Sequence, residues 1–409
     1  MAGEWRASTW GAEISLEYGK ALRDYDQPSG SFRVFGSNGP IGWTEKPLVS
    51  GPGVILGRKG AYRGVEFSRE PFFVIDTAYY VVPKTELDMR WLYYAIKYHK
   101  LGEIDDGSPI PSTTRSAVYV RDFDVPLLAE QKAIAAVLGA LDDKIELNRR
   151  ITVTLEAMAR ALFQSWFVDF DPVRAKLDGR APAAIDLATA DLFPEHFEHG
   201  EHGMLPVGWR HVTIEEVCAI NAWTLGKNDE LETLEYVEIS EVSRGNIANI
   251  AIYPRGEEPS RARRRLRHGD TVLSTVRPDR GSYFLALNPP ENRVASTGFV
   301  VLTPTKVPWS FVHAAMIQSE VSDYLGQMAD GGAYPAVRPE IIGAMKIALP
   351  NEPKILDAFH RTCAPLFERA EINRIQSRIL ATLRDTLLPK LLSGELSVSE
   401  TTKTKKKTQ

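Results

Sequence analysis

The chain has 409 residues, of which 44% are hydrophobic, with a formal net charge of −4 and a pI near 6.1. That length predicts two or three domains with cores of their own, and no apolar run approaches a membrane span. Near-neutral charge excludes a protein that holds nucleic acid by overall basicity, so any such contact has to come from local clusters. The two cysteines, Cys218 and Cys363, make no disulfide framework and fit a reducing cytoplasm.

MAGEWRASTW lacks the apolar core of a secretion signal. Residues 1–128 read as a first mixed domain. VSGPGVILGRKGAYRGVEF is a strand–turn–strand pattern with glycines at Gly57, Gly60 and Gly64, and PFFVIDTAYYVVP is a β-prone run. MRWLYYAIKYH predicts a short amphipathic helix, followed by the loop DDGSPIPSTTRS and a strand leading to Pro126. Residues 129–170 follow as one long helix. From Glu130 to Phe167 there is no proline and one glycine, Gly139, while Ile134, Leu138, Leu141, Ile145, Ile151, Leu155, Met158 and Leu162 recur at helical spacing. Such a helix would run for roughly 57 Å and needs a partner to cover its narrow stripe. Residues 171–204 read as a linker, longer than an ordinary loop, and 205–350 as a second mixed domain. There RHGDTVLSTVRPDRGSYFLAL, NRVASTGFVVLTP, WSFVHAAMIQSEVSDYL and DGGAYPAVRPE repeat the first domain's layout. Residues 351–395 are helical. Pro365 suits a first turn better than a helix interior, so a short helix at about 353–363 and a long one from about 365 are expected. Residues 396–409, with KTKKK, read as a disordered tail.

A shift of 225 residues lays the central stripe on the C-terminal one: Ile134 on Phe359, Leu138 on Cys363, Leu141 on Leu366, Asn148 on Asn373, Leu155 on Leu380, Met158 on Leu383 and Leu162 on Leu387. A shift of 224 lays Pro111 on Pro335 and Pro126 on Pro350. The chain is therefore an internal duplication of a mixed domain followed by a long helix, with a period too long for a solenoid. The expected fold class is α+β, two mixed domains separated by a long antiparallel two-helix, coiled-coil spacer. Its seam would be packed by Ile134, Leu138, Leu141, Ile145, Asn148, Leu155, Met158 and Leu162 against Leu366, Asn373, Leu380, Leu383 and Leu387. The matched asparagines would fix register.

No P-loop and no nuclease carboxylate cluster with a partner lysine is present. NPPE at Asn288–Glu291 is similar to an amino-methyltransferase motif, but Glu291 stands where an aromatic residue is required, and an Asn-Pro-Pro turn is the simpler reading. His196, His199 and His202 with Glu195, Glu198 and Glu201 carry metal-ligand types but read as a solvated linker, so no metal is expected. Candidate DNA contacts are loops with basic, hydroxyl or aromatic side chains beside glycines. In the first domain they are Arg58, Lys59, Tyr62 and Arg63, with Ser112, Thr113, Thr114 and Arg115; in the second, Arg277, Arg280 and Tyr283, with Tyr334 and Arg338. The basic run Arg261–His268 fits equally a phosphate track or a solvated strand edge.

The central stretch EQKAIAAVLGALDDKIELNRRITVTLEAMARALFQSWFVDFDPV and the C-terminal TLRDTLLPKLLSGEL, flanking two unlike domains, resemble the specificity (S) subunit of type I restriction–modification systems over nearly the whole chain. The resemblance implies two target recognition domains, each reading one half of a bipartite asymmetric site in double-stranded DNA. It implies that the paired helices set the gap and dock two methyltransferase (M) subunits, with restriction (R) subunits joining through that core. It further implies a non-catalytic chain that binds no cofactor of its own, with S-adenosylmethionine, ATP and Mg on the partner subunits, in the cytoplasm and away from membranes. Near-neutral charge predicts weak DNA binding by this chain alone. The competing readings are a stand-alone DNA methyltransferase and a coiled-coil scaffold without sequence-specific DNA reading.

Overall fold

The computed structural model describes residues 5–398 apart from 26–29, 106, 108, 184, 201–202, 227–228 and 333. The chain divides into two compact units. One joins residues 1–146 to 379–409, and the other is the continuous stretch 147–378. Each unit thus combines a mixed domain with part of both long helices, and the unit boundaries fall inside those helices rather than at the domain edges near 128 and 350. Among the described residues, no helix is long and apolar enough to cross a membrane.

The duplication is visible in the sheets. In the first unit an antiparallel sheet runs in the order Ile14–Tyr18, Ala78–Pro83, Gly53–Gly57, Val65–Ser68. The second unit has Cys218–Ile220, Phe299–Pro304, Asp270–Ser274, Tyr283–Ala286 in the same order. Each unit adds a second sheet with one parallel pair, Phe32–Gly36 beside Phe72–Val74 and Thr233–Val237 beside Arg293–Ser296. Each also adds a two-stranded sheet that brings the start of the domain to its end, Arg6–Thr9 on Asp122–Val125 and Trp209–Thr213 on Lys346–Pro350. The fully buried strands Gly53–Gly57 and Asp270–Ser274 are covered by the helices Met89–Tyr98 and Trp309–Met316.

The central helix is Leu128–Phe163, followed by a π-helical turn at Gln164–Val168. The C-terminal helix is continuous from Pro353 to Leu392 and runs through Pro365, where two helices were expected. The carbonyl deprived of its donor belongs to Arg361, and both Arg361 and Pro365 are exposed, so water can satisfy it. The stretch 171–204 is likewise not a free linker: it forms helices Asp171–Leu177 and Leu187–Asp191, and Val173, Ala190 and Phe193 are buried. Phe193 joins Phe163, Trp166, Phe167, Trp209, Phe311 and Phe359 in an aromatic cluster that anchors the second domain to the helices. The tail also starts later than 396, because Leu396 and Val398 pack against the first unit's core; residues 399–409 lie outside the described residues.

The helices pair antiparallel within each unit. In the second, Asn148 donates to Gln376 Oε1 at 2.8 Å, Thr152 to the Ala370 carbonyl at 3.4 Å, and Phe163 meets Phe359 with ring centroids 6.1 Å apart. In the first, Asp142 accepts from Arg384 at 2.7 Å and from Tyr94 at 2.5 Å, while Ile134 and Leu138 share a core with Leu391. The seam differs from the expected stripe. Met158 and Leu383 are exposed, and Leu141, Ile145, Leu155, Leu162, Leu366, Leu380 and Leu387 are only partly buried. The buried residues from Asn148 onward are Thr152, Glu156, Ala159 and Phe163, one position over from the apolar series. Glu156 forms a buried ion pair with Arg374, which explains how a carboxylate sits there.

One buried carboxylate has no such partner among the described residues. Burial pushes Asp270 up to about 6, with Thr303 Oγ1 and the Arg267 N–H, each at 2.7 Å, opposing the shift. The folded chain therefore holds this proton more tightly than the unfolded chain, whose carboxyl titrates near pH ~4. The associated stability is complete below pH ~4 and is lost as pH rises through about 6. Asp270→Asn should remove roughly 2–3 kcal/mol of the loss in unfolding free energy between pH 4 and pH 7, measured by denaturant titration.

Candidate nucleic-acid interface

In each domain, the two loops singled out by residue type lie side by side, joined by the same pair of backbone hydrogen bonds. In the first, the Gly60 N–H donates to the Pro111 carbonyl at 3.0 Å and the Thr113 N–H to the Arg58 carbonyl at 2.9 Å. In the second, the Arg277 N–H donates to the Pro335 carbonyl at 2.8 Å and the Val337 N–H to the Thr275 carbonyl at 2.9 Å. Pro111 and Thr113 correspond to Pro335 and Val337 at the 224-residue shift of the repeat. The position that turns the loop needs a left-handed backbone in both, at φ 111° for Gly60 and 47° for Arg277. Glycine takes this conformation freely. Arginine holds it at a cost of order 1 kcal/mol, a strain found mainly where function demands it.

On the first platform Tyr62 projects from the tip, 78% exposed. Lys59 is exposed and pairs with Ser112 across the two loops, and Ser112 Oγ donates to the Ile110 carbonyl at 3.0 Å. Arg63 faces inward. Its Nε donates to the Gly102 carbonyl at 2.9 Å and to Thr113 Oγ1 at 3.1 Å, Nη1 to the Gly60 carbonyl at 2.6 Å, and Nη2 to the Ile104 carbonyl at 3.2 Å. It is the brace of the platform. Thr113 is fully buried, which corrects its expected place on the contact surface. Thr114 caps the helix Arg115–Tyr119 by accepting from the Ala117 N–H at 3.3 Å.

Arg58 and Arg115 converge on Tyr18, a residue that no motif picks out. The Arg115 guanidinium lies 4.2 Å and that of Arg58 5.0 Å from the Tyr18 ring centre. Both are 5.9 Å from the ring of Tyr79, which itself lies 5.1 Å from that of Tyr18. Arg58 also donates through Nε and Nη2 to the Asp76 carbonyl at 3.2 and 2.7 Å, and Arg115 to Glu17 Oε2 at 3.4 Å. Burial, then the neighbouring Tyr18, push the Tyr79 hydroxyl up to about 12, so it stays a donor to the Thr113 carbonyl at 3.2 Å.

On the second platform the Arg277 guanidinium lies 4.8 Å from the ring of Tyr334, which is 74% exposed. Arg280 ends the turn Pro278–Arg280, Arg338 precedes the helix Pro339–Gly343, and both are exposed. Tyr283 is a correction: it lies in a strand, buried, with burial raising its hydroxyl pKa. The basic run includes the edge strand Ala262–Arg265 and is partly neutralised. Arg263 pairs with Glu258 at 3.7 Å, Arg265 with Asp229 and Glu291 at 3.3 Å, and Arg267 stacks 3.2 Å over Trp223. This arrangement favours the strand-edge reading over the phosphate track, and Glu291 of NPPE serves as an ion-pair partner at a turn. In the histidine-rich stretch, Glu198 of the hairpin Phe197–Gly200/Gly203–Pro206 accepts from the Gly208 N–H just beyond it at 2.8 Å; Glu201 and His202 lie outside the described residues.

Comparison with known proteins adds three findings. Residues 24–157 match the family model of the type I restriction modification DNA specificity domain. The chain is 27% identical over 355 residues to the type I restriction enzyme HindI specificity subunit of Haemophilus influenzae, covering 73% of this chain and 74% of that subunit. It is 23% identical over 429 residues to the MjaIX specificity subunit of Methanocaldococcus jannaschii, covering 96% and 88%. In fold it is similar to the crystal structure of the S subunit of the type I restriction–modification system from M. genitalium, with a TM-score of 0.59 at 18% identity over 95% of this chain and 96% of that one. The matched family model and both relatives are of type I specificity subunits, and the solved structure shares the fold of this chain.

The inward role of Arg63 has a direct test. Arg63→Met should destabilise the first unit by roughly 2–4 kcal/mol, because it strands buried carbonyls. It should also open the stretch 57–64 to protease. Tyr62→Ala should shift unfolding by less than about 0.5 kcal/mol. Denaturant titration and limited proteolysis distinguish the two.

Proposed function

We propose that this chain is the DNA sequence-recognition subunit of a type I restriction–modification complex and carries out no chemistry itself. Each mixed domain reads one half of a bipartite, asymmetric site through its paired loops. The two long helices set the gap between the halves. Two methyltransferase subunits dock on those helices, and restriction subunits join through them. S-adenosylmethionine, ATP and Mg belong to the partners.

The observation that carries this reading is the paired-loop platform, repeated with the same hydrogen-bond register but decorated differently: Arg58, Lys59, Tyr62 and Arg115 in one domain, Arg277, Arg280, Tyr334 and Arg338 in the other. Shared scaffolds carrying different basic and aromatic groups suit two modules that read different sequences. Rigid spacing between such modules restricts binding to half-sites at one separation and one helical phase.

Partner docking has its own support. Leu147, Val153, Met158, Ile372 and Ile375 in the second unit, and Ile379 and Leu383 in the first, are apolar helix residues between 44% and 63% exposed. Exposed apolar residues recurring along a helix suit a site that another protein covers.

Base-resolution mapping of methylation in cells carrying this chain with a cognate methyltransferase subunit tests the function; a defined two-part motif is expected. Methylation by the purified chain without a second subunit would establish a stand-alone enzyme instead. Ile372→Asp with Ile375→Asp should abolish co-purification of the methyltransferase subunit while the chain keeps its melting temperature. Inserting one helical turn of about four residues at facing positions in both long helices should lengthen the accepted gap by about two base pairs. An unchanged gap would refute the spacing role.

A further inference from the structure

We propose that Tyr18 is a positioning residue for base readout by the first domain. Its half-exposed ring holds the guanidinium groups of Arg58 and Arg115 in fixed orientations, so that their remaining donors face acceptors on base edges. The inference rests on the DNA-reading function proposed above and assigns part of its specificity to a strand residue outside the loops.

Three chain segments meet at this point: the end of the strand Ile14–Tyr18, the loop after Gly53–Gly57, and the first residue of the helix Arg115–Tyr119. Each guanidinium sits against the same aromatic pair, Tyr18 and Tyr79. An arginine free in solvent has many rotamers to lose on binding, and a cation held over an aromatic face has already given up part of that freedom. Binding then requires less ordering of the side chain.

The donor count points the same way. Arg58 directs Nε and Nη2 at the Asp76 carbonyl, leaving its Nη1 side available. Arg115 makes one long bond, from Nη2 to Glu17, and, among the described residues, no hydrogen bond through Nη1; its Nε is buried and out of reach of DNA. A brace built only for stability would use these donors inside the protein, as Arg63 does.

Glu17 decides between base and backbone. Its carboxylate, 3.4 Å from Arg115, would repel an approaching phosphate. A G·C pair suits the combination, because guanine O6 and N7 accept from arginine and the cytosine amino group donates to a carboxylate. The first half-site therefore contains at least one G·C pair whose identity depends on Tyr18. The second domain reaches a similar arrangement by another route, with Arg277 stacked on Tyr334 of the adjoining loop.

The test uses the full chain assembled with its methyltransferase partner on a randomised DNA library, with methylated sites mapped by sequencing. Tyr18→Phe, which keeps the ring, should reproduce the wild-type motif. Tyr18→Leu and Arg115→Lys should each relax one or two base positions in one half-site. Modification of sites mismatched there should rise on the order of tenfold relative to the matched site. The other half-site should be read as before, which shows in the same experiment that the chain is folded and assembled. Wild-type fidelity in Tyr18→Leu overturns the proposal, as does an equal loss across all sequences, or a Tyr18→Phe variant that behaves like Tyr18→Leu. A wild-type complex that modifies no defined two-part sequence overturns the function itself and this inference with it.

Discussion

A helix with one narrow apolar stripe is unstable in water until the stripe is covered, and this chain supplies the cover from its own second copy. That requirement explains why both long helices contribute to both compact units. The polar members of the seam make the pairing selective. Glu156 lies buried against Arg374 and Asn148 against Gln376, so sliding one helix past the other would strand a buried charge and a buried amide. Stranding a buried charge costs about 3–5 kcal/mol, more than a few shifted leucine contacts would return. Apolar packing makes the helices associate, and these polar groups determine where along their length they do so.

The same division between holding and presenting recurs in the loops. Arg63 and Thr113 turn inward and fix the platform, whereas Tyr62 and Tyr334 project outward from platforms of identical backbone register. With the backbone fixed in this way, side chains at the tip can vary without disturbing the fold. This suits a protein whose two halves share an architecture and differ in what they display.

Much of this was legible in the residues. Matched prolines and a matched asparagine disclosed the duplication, and glycines beside basic residues disclosed both loops of each platform. The seam was less legible because periodicity weighs apolar residues only. Thr152 and Glu156 look like surface residues until Ala370 and Arg374 are seen opposite them, while Met158 and Leu383 look like core and are exposed. Pro365 was read as a helix start because the exposure that makes it tolerable inside a helix is a property of packing. Tyr18 carried no signal at all. Its part depends on Arg58 and Arg115, far along the chain, and only folding brings them together.

The two units also differ in how they are strung on the polypeptide. The second is one uninterrupted stretch, 147–378, whereas the first is split between residues before 147 and residues after 378. The core that holds Ile134, Leu138 and Trp91 is incomplete until Leu391 and Leu392 exist, and these are among the last described residues to be made. On a ribosome, which delivers chain from one end, the domain encoded second can complete its core first. The domain encoded first waits for the segment after residue 378 to be made, with its unfinished helix face open to solvent in the meantime.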